Sequence, residues 1–90
     1  MAYPAYNSAV AIAASASVKY KKNKGVLIVP GTSNGSVVLK LYDDPGGGGG
    51  GTEGVSITVN FLARATPFVV PVRIFGTGAY SGSPTVYELI

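Results

Sequence analysis

The chain has 90 residues, a net charge of +3, 47% apolar residues, no cysteine and no histidine. Such a length makes one domain, which buries about 60% of the surface its unfolded chain exposes. The missing cysteine and histidine exclude a disulfide framework, a thiolate nucleophile, and an imidazole base or metal ligand. Charged residues are 12%, about half the usual ~25%, so a partner is expected to cover surface that so few charges cannot.

Met1–Ser8 (MAYPAYNS) has no hydrophobic period and reads as an N-terminal arm. Residues 9–90 read as a single β domain. Ala9–Tyr20 is rich in alanine, which favours helix, yet Ile12, Ala14, Ala16, Val18 and Tyr20 alternate with small or polar residues. The alternation predicts a strand near 15–21, and Lys19–Lys24 (KYKKNK) a solvated basic turn. That run holds a single aromatic, Tyr20. A single-strand nucleic-acid groove needs several stacking platforms, so nucleic acid is not the expected partner. Ala9–Ala16 is too short to span a bilayer and lacks the positive flank of a signal peptide, so neither export nor a membrane anchor is expected.

Val26–Val29, ended by Pro30, reads as a strand buried on both faces. Asn34-Gly35 is a strong hairpin signal, because a type I′ turn needs positive φ at both central residues. Val37, Leu39 and Leu41 then alternate with Val38, Lys40 and Tyr42. Residues 26–42 are therefore expected to form a β-hairpin. Asn34-Gly35-Ser36 also matches a glycosylation sequon, but with no signal peptide before it the turn reading is preferred.

Residues 43–54 form a glycine-rich loop with six consecutive glycines, Gly46–Gly51. It is no phosphate loop, since no Lys-Ser/Thr step and no helix follow it. Asp43, Asp44 and Glu53 are not expected to make a calcium site, because six or more oxygens must be preformed and polyglycine preorganises nothing. The loop is expected to join two strands and to be dispensable for folding. Replacing Gly46–Gly51 by two residues should leave the melting temperature nearly unchanged, since closure entropy varies by only ~0.6 kcal/mol per doubling of loop length. A shortened chain that fails to fold would give the loop a packing role.

Val55, Ile57, Val59 and Phe61 alternate without fault with Ser56, Thr58 and Asn60. The same period returns in Phe68, Val70, Val72 and Ile74. These two runs, 55–61 and 68–75, are expected to pair antiparallel as the centre of the fold. Gly76–Pro84 reads as a turn-rich loop around Tyr80, and 85–89 as a last strand. The fold class is thus all-β, a small antiparallel β-sandwich or barrel with strands near 15–21, 25–30, 36–42, 55–61, 68–75 and 85–89. Its expected core is Val26, Ile28, Val37, Leu39, Leu41, Val55, Ile57, Val59, Phe61, Val70, Val72 and Ile74.

No catalytic, cofactor-binding or metal-ligating residues can be assigned. Of the four carboxylates, Asp43, Asp44 and Glu53 lie in the glycine-rich loop and Glu88 in the last strand, so no rigid acid–base pair is expected. The serines have no base partner. An enzyme is not the expected reading, and no cofactor is expected. The residues that suit an interface are Tyr3, Pro4, Tyr6, Tyr80 and Tyr87, because tyrosine and proline bury area at low entropic cost, and Arg73, which suits an ordinary ion pair on the polar face of its strand.

Several segments together resemble the C-terminal layout of small virion structural proteins of tailed phages, of the head-decoration or spike-base type. Lys24–Val29 (KGVLIV), Val55–Phe61 (VSITVNF), Pro71–Gly78 (PVRIFGTG) and Thr85–Leu89 (TVYEL) carry the likeness, which spans residues 24–90. The glycine run is not part of that layout. The resemblance implies a non-enzymatic capsid decoration (cement) or head spike-base subunit, located in the virion and assembled in the host cytoplasm. Its partners would be itself, a trimer first and a dimer second, and the major capsid protein or other virion proteins. A tail, connector or carbohydrate-binding host-recognition component is the alternative. The arm and the edge of the last strand are expected to make the contacts.

Overall fold

A computed structural model describes residues 6–18, 23–42 and 53–90 of the chain. Among them there are seven strands and no helix: β1 (Ala9–Ala11), β2 (Gly25–Val29), β3 (Gly35–Tyr42), β4 (Glu53–Phe61), β5 (Phe68–Val70), β6 (Ile74–Ser81) and β7 (Thr85–Leu89). They make two antiparallel sheets, ordered β1-β7-β2-β5 and β4-β3-β6. The sheets stack face to face as a small β-sandwich. Val26, Ile28 and Val86 from the first sheet meet Val37, Leu39, Phe61 and Ile74 from the second, with Ile12 beside them. Alternation in β3 and β4 sends one set of side chains into this core and leaves Ser56, Thr58 and Asn60 of β4 outside.

Local patterning located the strands better than it located their partners. β3 and β4 do pair across the glycine-rich segment, from Gly35↔Phe61 to Tyr42↔Glu53; residues 43–52 themselves lie outside the described residues. β2 and β3 do not form the expected hairpin. Pro30–Asn34 carries the chain from one sheet to the other, and neither Asn34 nor Gly35 has the positive φ of a type I′ turn. Instead Asn34 Oδ1 accepts the Ala63 N–H at 2.8 Å, and Gly31 O accepts that of Arg64 at 2.8 Å. The Asn-Gly step therefore ties two crossing loops together.

The expected central pairing of 55–61 with 68–75 is also replaced. The second run is two strands: β5 pairs with β2, and β6 pairs with β3. Pro71 brings no N–H to a ladder. Just after it, Val72 N–H closes a tight turn onto Val70 O at 2.9 Å, and the chain changes sheets. Period two continues through the break because both strands face one shared core. β6 then runs on through the expected loop to Ser81, and the turn proper is Gly82–Pro84, where Gly82 has φ +77° and Ser83 φ 55°.

At the N-terminal side, the strand expected near 15–21 is replaced by β1. After β1 the chain turns at Ser15, φ 52°, and crosses β6 as a strap, pairing with it at Ser17↔Gly76 through main-chain bonds from Ser15 N–H to Gly78 O at 2.8 Å, Thr77 N–H to Ala16 O at 2.8 Å and Val18 N–H to Phe75 O at 3.2 Å. Lys19–Lys22 lie outside the described residues. Polar side chains of β6 hold this strap. Thr77 Oγ1 donates to Ala13 O at 2.7 Å and accepts the Ala16 N–H at 3.1 Å, and Tyr80 Oη donates to Ile12 O at 2.9 Å.

Of the expected core, Val26, Ile28, Val37, Leu39, Phe61 and Ile74 are buried, and Leu41, Ile57, Val59, Val70 and Val72 pack partly buried against them. Val55 does not belong to it. It sits at the irregularity where the β3–β4 register shifts between Lys40 and Tyr42, and it is 71% exposed. Ile12 and Val86 take core places instead.

Candidate functional site

Two of the expected interface residues come together on the outer face of the four-stranded sheet. Along the ladder, Ala11 pairs with Tyr87, Tyr87 with Leu27, and Leu27 with Val69. These four lie in one row across the sheet, and their strand neighbours Val10, Val26, Ile28, Val86 and Val70 turn to the inside. Tyr87 and Leu27 are half-buried and Val69 is exposed. Tyr6 covers one end of the same face: its hydroxyl stands 3.2 Å from where a Cβ on Gly25 would be. This sheet is thus apolar on both sides, one side forming the core and the other covered at one end by Tyr6 and open at Val69.

The last strand does not offer the edge that the sequence suggested. β7 lies between β1 and β2. The arm extends that pairing: Asn7 and Ser8 donate to Ile90 O, and Ile90 N–H donates to Ser8 O at 3.0 Å. So the end of the arm from Tyr6 onward docks on its own chain, while Tyr3 and Pro4 lie outside the described residues. The edges are β1 and β5 in one sheet, β4 and β6 in the other. Tyr80 faces inward, partly buried against the core, and its hydroxyl serves the strap. Burial pushes that phenol above its ordinary pKa, partly opposed by a hydrogen bond with Thr77.

Arg73 lies not in a strand but in the crossover between β5 and β6. Its guanidinium stacks on Tyr42, 4.7 Å from the ring centre, and Tyr42 meets Phe75 edge to face at 5.5 Å. The expected ion pair is replaced, among the described residues, by this cation–π contact, and Arg73 Nε is buried without a hydrogen-bond partner. The cluster stands where β3 leads into the glycine-rich segment.

Glu88 is the one carboxylate whose side chain lies among the described residues, and sequence reasoning gave it no role. Its place in β7 turns it inward, and it is 2% exposed. Asn23, also buried, donates to Glu88 Oε2 at 3.4 Å. Burial pushes the Glu88 carboxyl above its ordinary pKa, and the Asn23 hydrogen bond partly opposes this. The folded state therefore binds the proton more tightly than the unfolded chain does. The contribution of Glu88 to stability is fully present below its ordinary value, roughly pH 4.3, and is lost as pH rises through the raised value. Glu88→Gln should flatten that slope and raise the melting temperature at neutral pH. Parallel melting curves for both proteins over the same pH series would refute the assignment.

Comparison with family models, with curated proteins and with solved structures finds no significant match to this chain.

Proposed function

We propose that this protein is a structural virion protein of a tailed bacteriophage, a capsid decoration or head spike-base subunit without enzymatic activity. It assembles with copies of itself and seats on the particle through the outer face of the four-stranded sheet. The observation that carries the reading is the row Ala11–Tyr87–Leu27–Val69, an uncharged band on a sheet whose other side is already the core. In a protein with 12% charged residues, water is a poor neighbour for such a face, and a second subunit is a good one. The likeness of Lys24–Val29, Val55–Phe61, Pro71–Gly78 and Thr85–Leu89 to phage virion proteins supplies the biological setting.

Mass spectrometry of purified particles, made from the genome that encodes the chain, tests the reading directly; absence of the protein from intact particles overturns it. The face is tested by Val69→Lys, which places a charge on the row without entering the core. Light scattering should show the wild type as an oligomer and the variant as a folded monomer that no longer joins particles. A wild type that is monomeric, with incorporation undiminished in the variant, would remove the face from the proposal.

A further inference from the structure

Glu88 interrupts the inward face of β7. On the ladder it stands between Val10 of β1 and Val26 of β2, a carboxylate in a row of valines. Among the described residues its hydrogen-bond partner is Asn23, at the long distance of 3.4 Å. The same Asn23 amide also donates to Ile74 O at 3.0 Å, so its donor capacity is shared. Beside the carboxylate opens a pocket of about 320 Å³, walled by Val10, Ala11, Ile12, Ala13, Ala16 and Val18 together with Ser17. The walls come from β1 and the strap that Thr77 and Tyr80 fasten to β6.

A buried carboxylate is costly unless an opposite charge meets it, and apart from Ser17 the side chains that line the pocket with Glu88 are aliphatic. We propose that this pocket binds a protonated aliphatic amine. The ammonium pairs with Glu88 through charge-assisted hydrogen bonds, and the alkyl stem lies along the alanine and valine wall. The donor set excludes the nearest alternatives. Calcium takes six to eight oxygens, and the side chains lining the pocket supply one carboxylate and one hydroxyl. Among the described residues no aromatic ring lines the pocket to stack a guanidinium. An anion would face the carboxylate itself. The same chemistry is carried by a free alkylamine and by a lysine side chain inserted from another protein.

The test is an amide-resolved NMR titration of the full chain at neutral pH with n-butylammonium chloride, at constant ionic strength. Saturable shifts are expected at residues 10–18 and Glu88, with none from sodium butanoate. Glu88→Gln keeps the shape and the acceptor for Asn23 but loses the charge, and should weaken the response at least tenfold. A second arm uses the capped peptide Gly-Lys-Gly: a response to both ligands assigns the site to an inserted lysine, and a response to n-butylammonium alone assigns it to a free amine. Shifts that do not saturate, that butanoate reproduces, or that lie away from the pocket overturn the proposal on the wild type alone. An undiminished response in Glu88→Gln overturns it as well.

Discussion

Gly35→Ala is expected to destabilise the protein by about 2–3 kcal/mol, although it adds a single methyl group. Gly35 opens β3, the central strand of its sheet, and pairs with Phe61 of β4. A Cβ there would fall inside the carbonyl oxygen of Ser81 and 2.8 Å from the Phe61 ring. Neither neighbour can retreat cheaply. Ser81 is held to Ser36 through the Ser36 N–H on Ser81 Oγ at 3.0 Å, and Phe61 is buried in the core. For a domain of this size the loss corresponds to a fall in melting temperature of roughly 10–20 °C. Gly35→Asn separates the two reasons a glycine might stand here. If the position needed positive φ, asparagine would be tolerated better than alanine. Because it needs space instead, asparagine should be worse, and an asparagine variant more stable than the alanine variant would refute the account.

Asn23→Ala should cost about 2–5 kcal/mol. Asn23 clamps the main chain of Ile74 from both sides: Oδ1 accepts the Ile74 N–H at 2.8 Å and Nδ2 donates to the Ile74 carbonyl at 3.0 Å. It precedes β2 of one sheet and grips the first residue of β6 in the other, so it stitches the sheets at the end where Glu88 lies. Alanine leaves two buried backbone groups unsatisfied, each worth about 1–3 kcal/mol. Asn23→Asp keeps an acceptor for the Ile74 N–H, loses the donor, and sets a second carboxylate against Glu88, so at neutral pH it should be nearly as damaging. Denaturant unfolding reads this as a lower midpoint at unchanged slope. A midpoint that moves by less than the equivalent of about half a kcal/mol in Asn23→Ala would show that the clamp is not needed.

These two residues mark where the sequence misleads. Asn34-Gly35 carries the strongest hairpin signal in the chain, and Asn23 sits in a run of lysines that reads as a solvated turn. Both signals are local: asparagine and glycine favour turns, and lysines favour water. What overrides them is distant. Ser81 lies against Gly35, and Ile74 against Asn23, across a long stretch of chain. Glu88 escaped for the same reason, since an acid in TVYEL reads as outward until Val10 and Val26 are found on either side of it. Tyr87 was legible as an interface residue by type, but the row it completes with Leu27 and Val69 exists only through strand pairing.

The sequence by itself determined that the domain is all-β, that strands lie near 25–30, 36–42, 55–61 and 85–89, and which alternating residues fill most of the core. Period two records which face of a strand meets apolar neighbours, and this holds wherever the strand is placed. Tertiary structure decided the partners. Phe68–Val70 and Ile74–Ser81 look like one strand because both point at the same core, yet they belong to opposite sheets. Each β-ladder is a match between main chains, whose hydrogen bonds are alike for every residue except proline. Side-chain pattern therefore selects the face a strand buries, and only the packing of all seven strands selects the neighbour beside it.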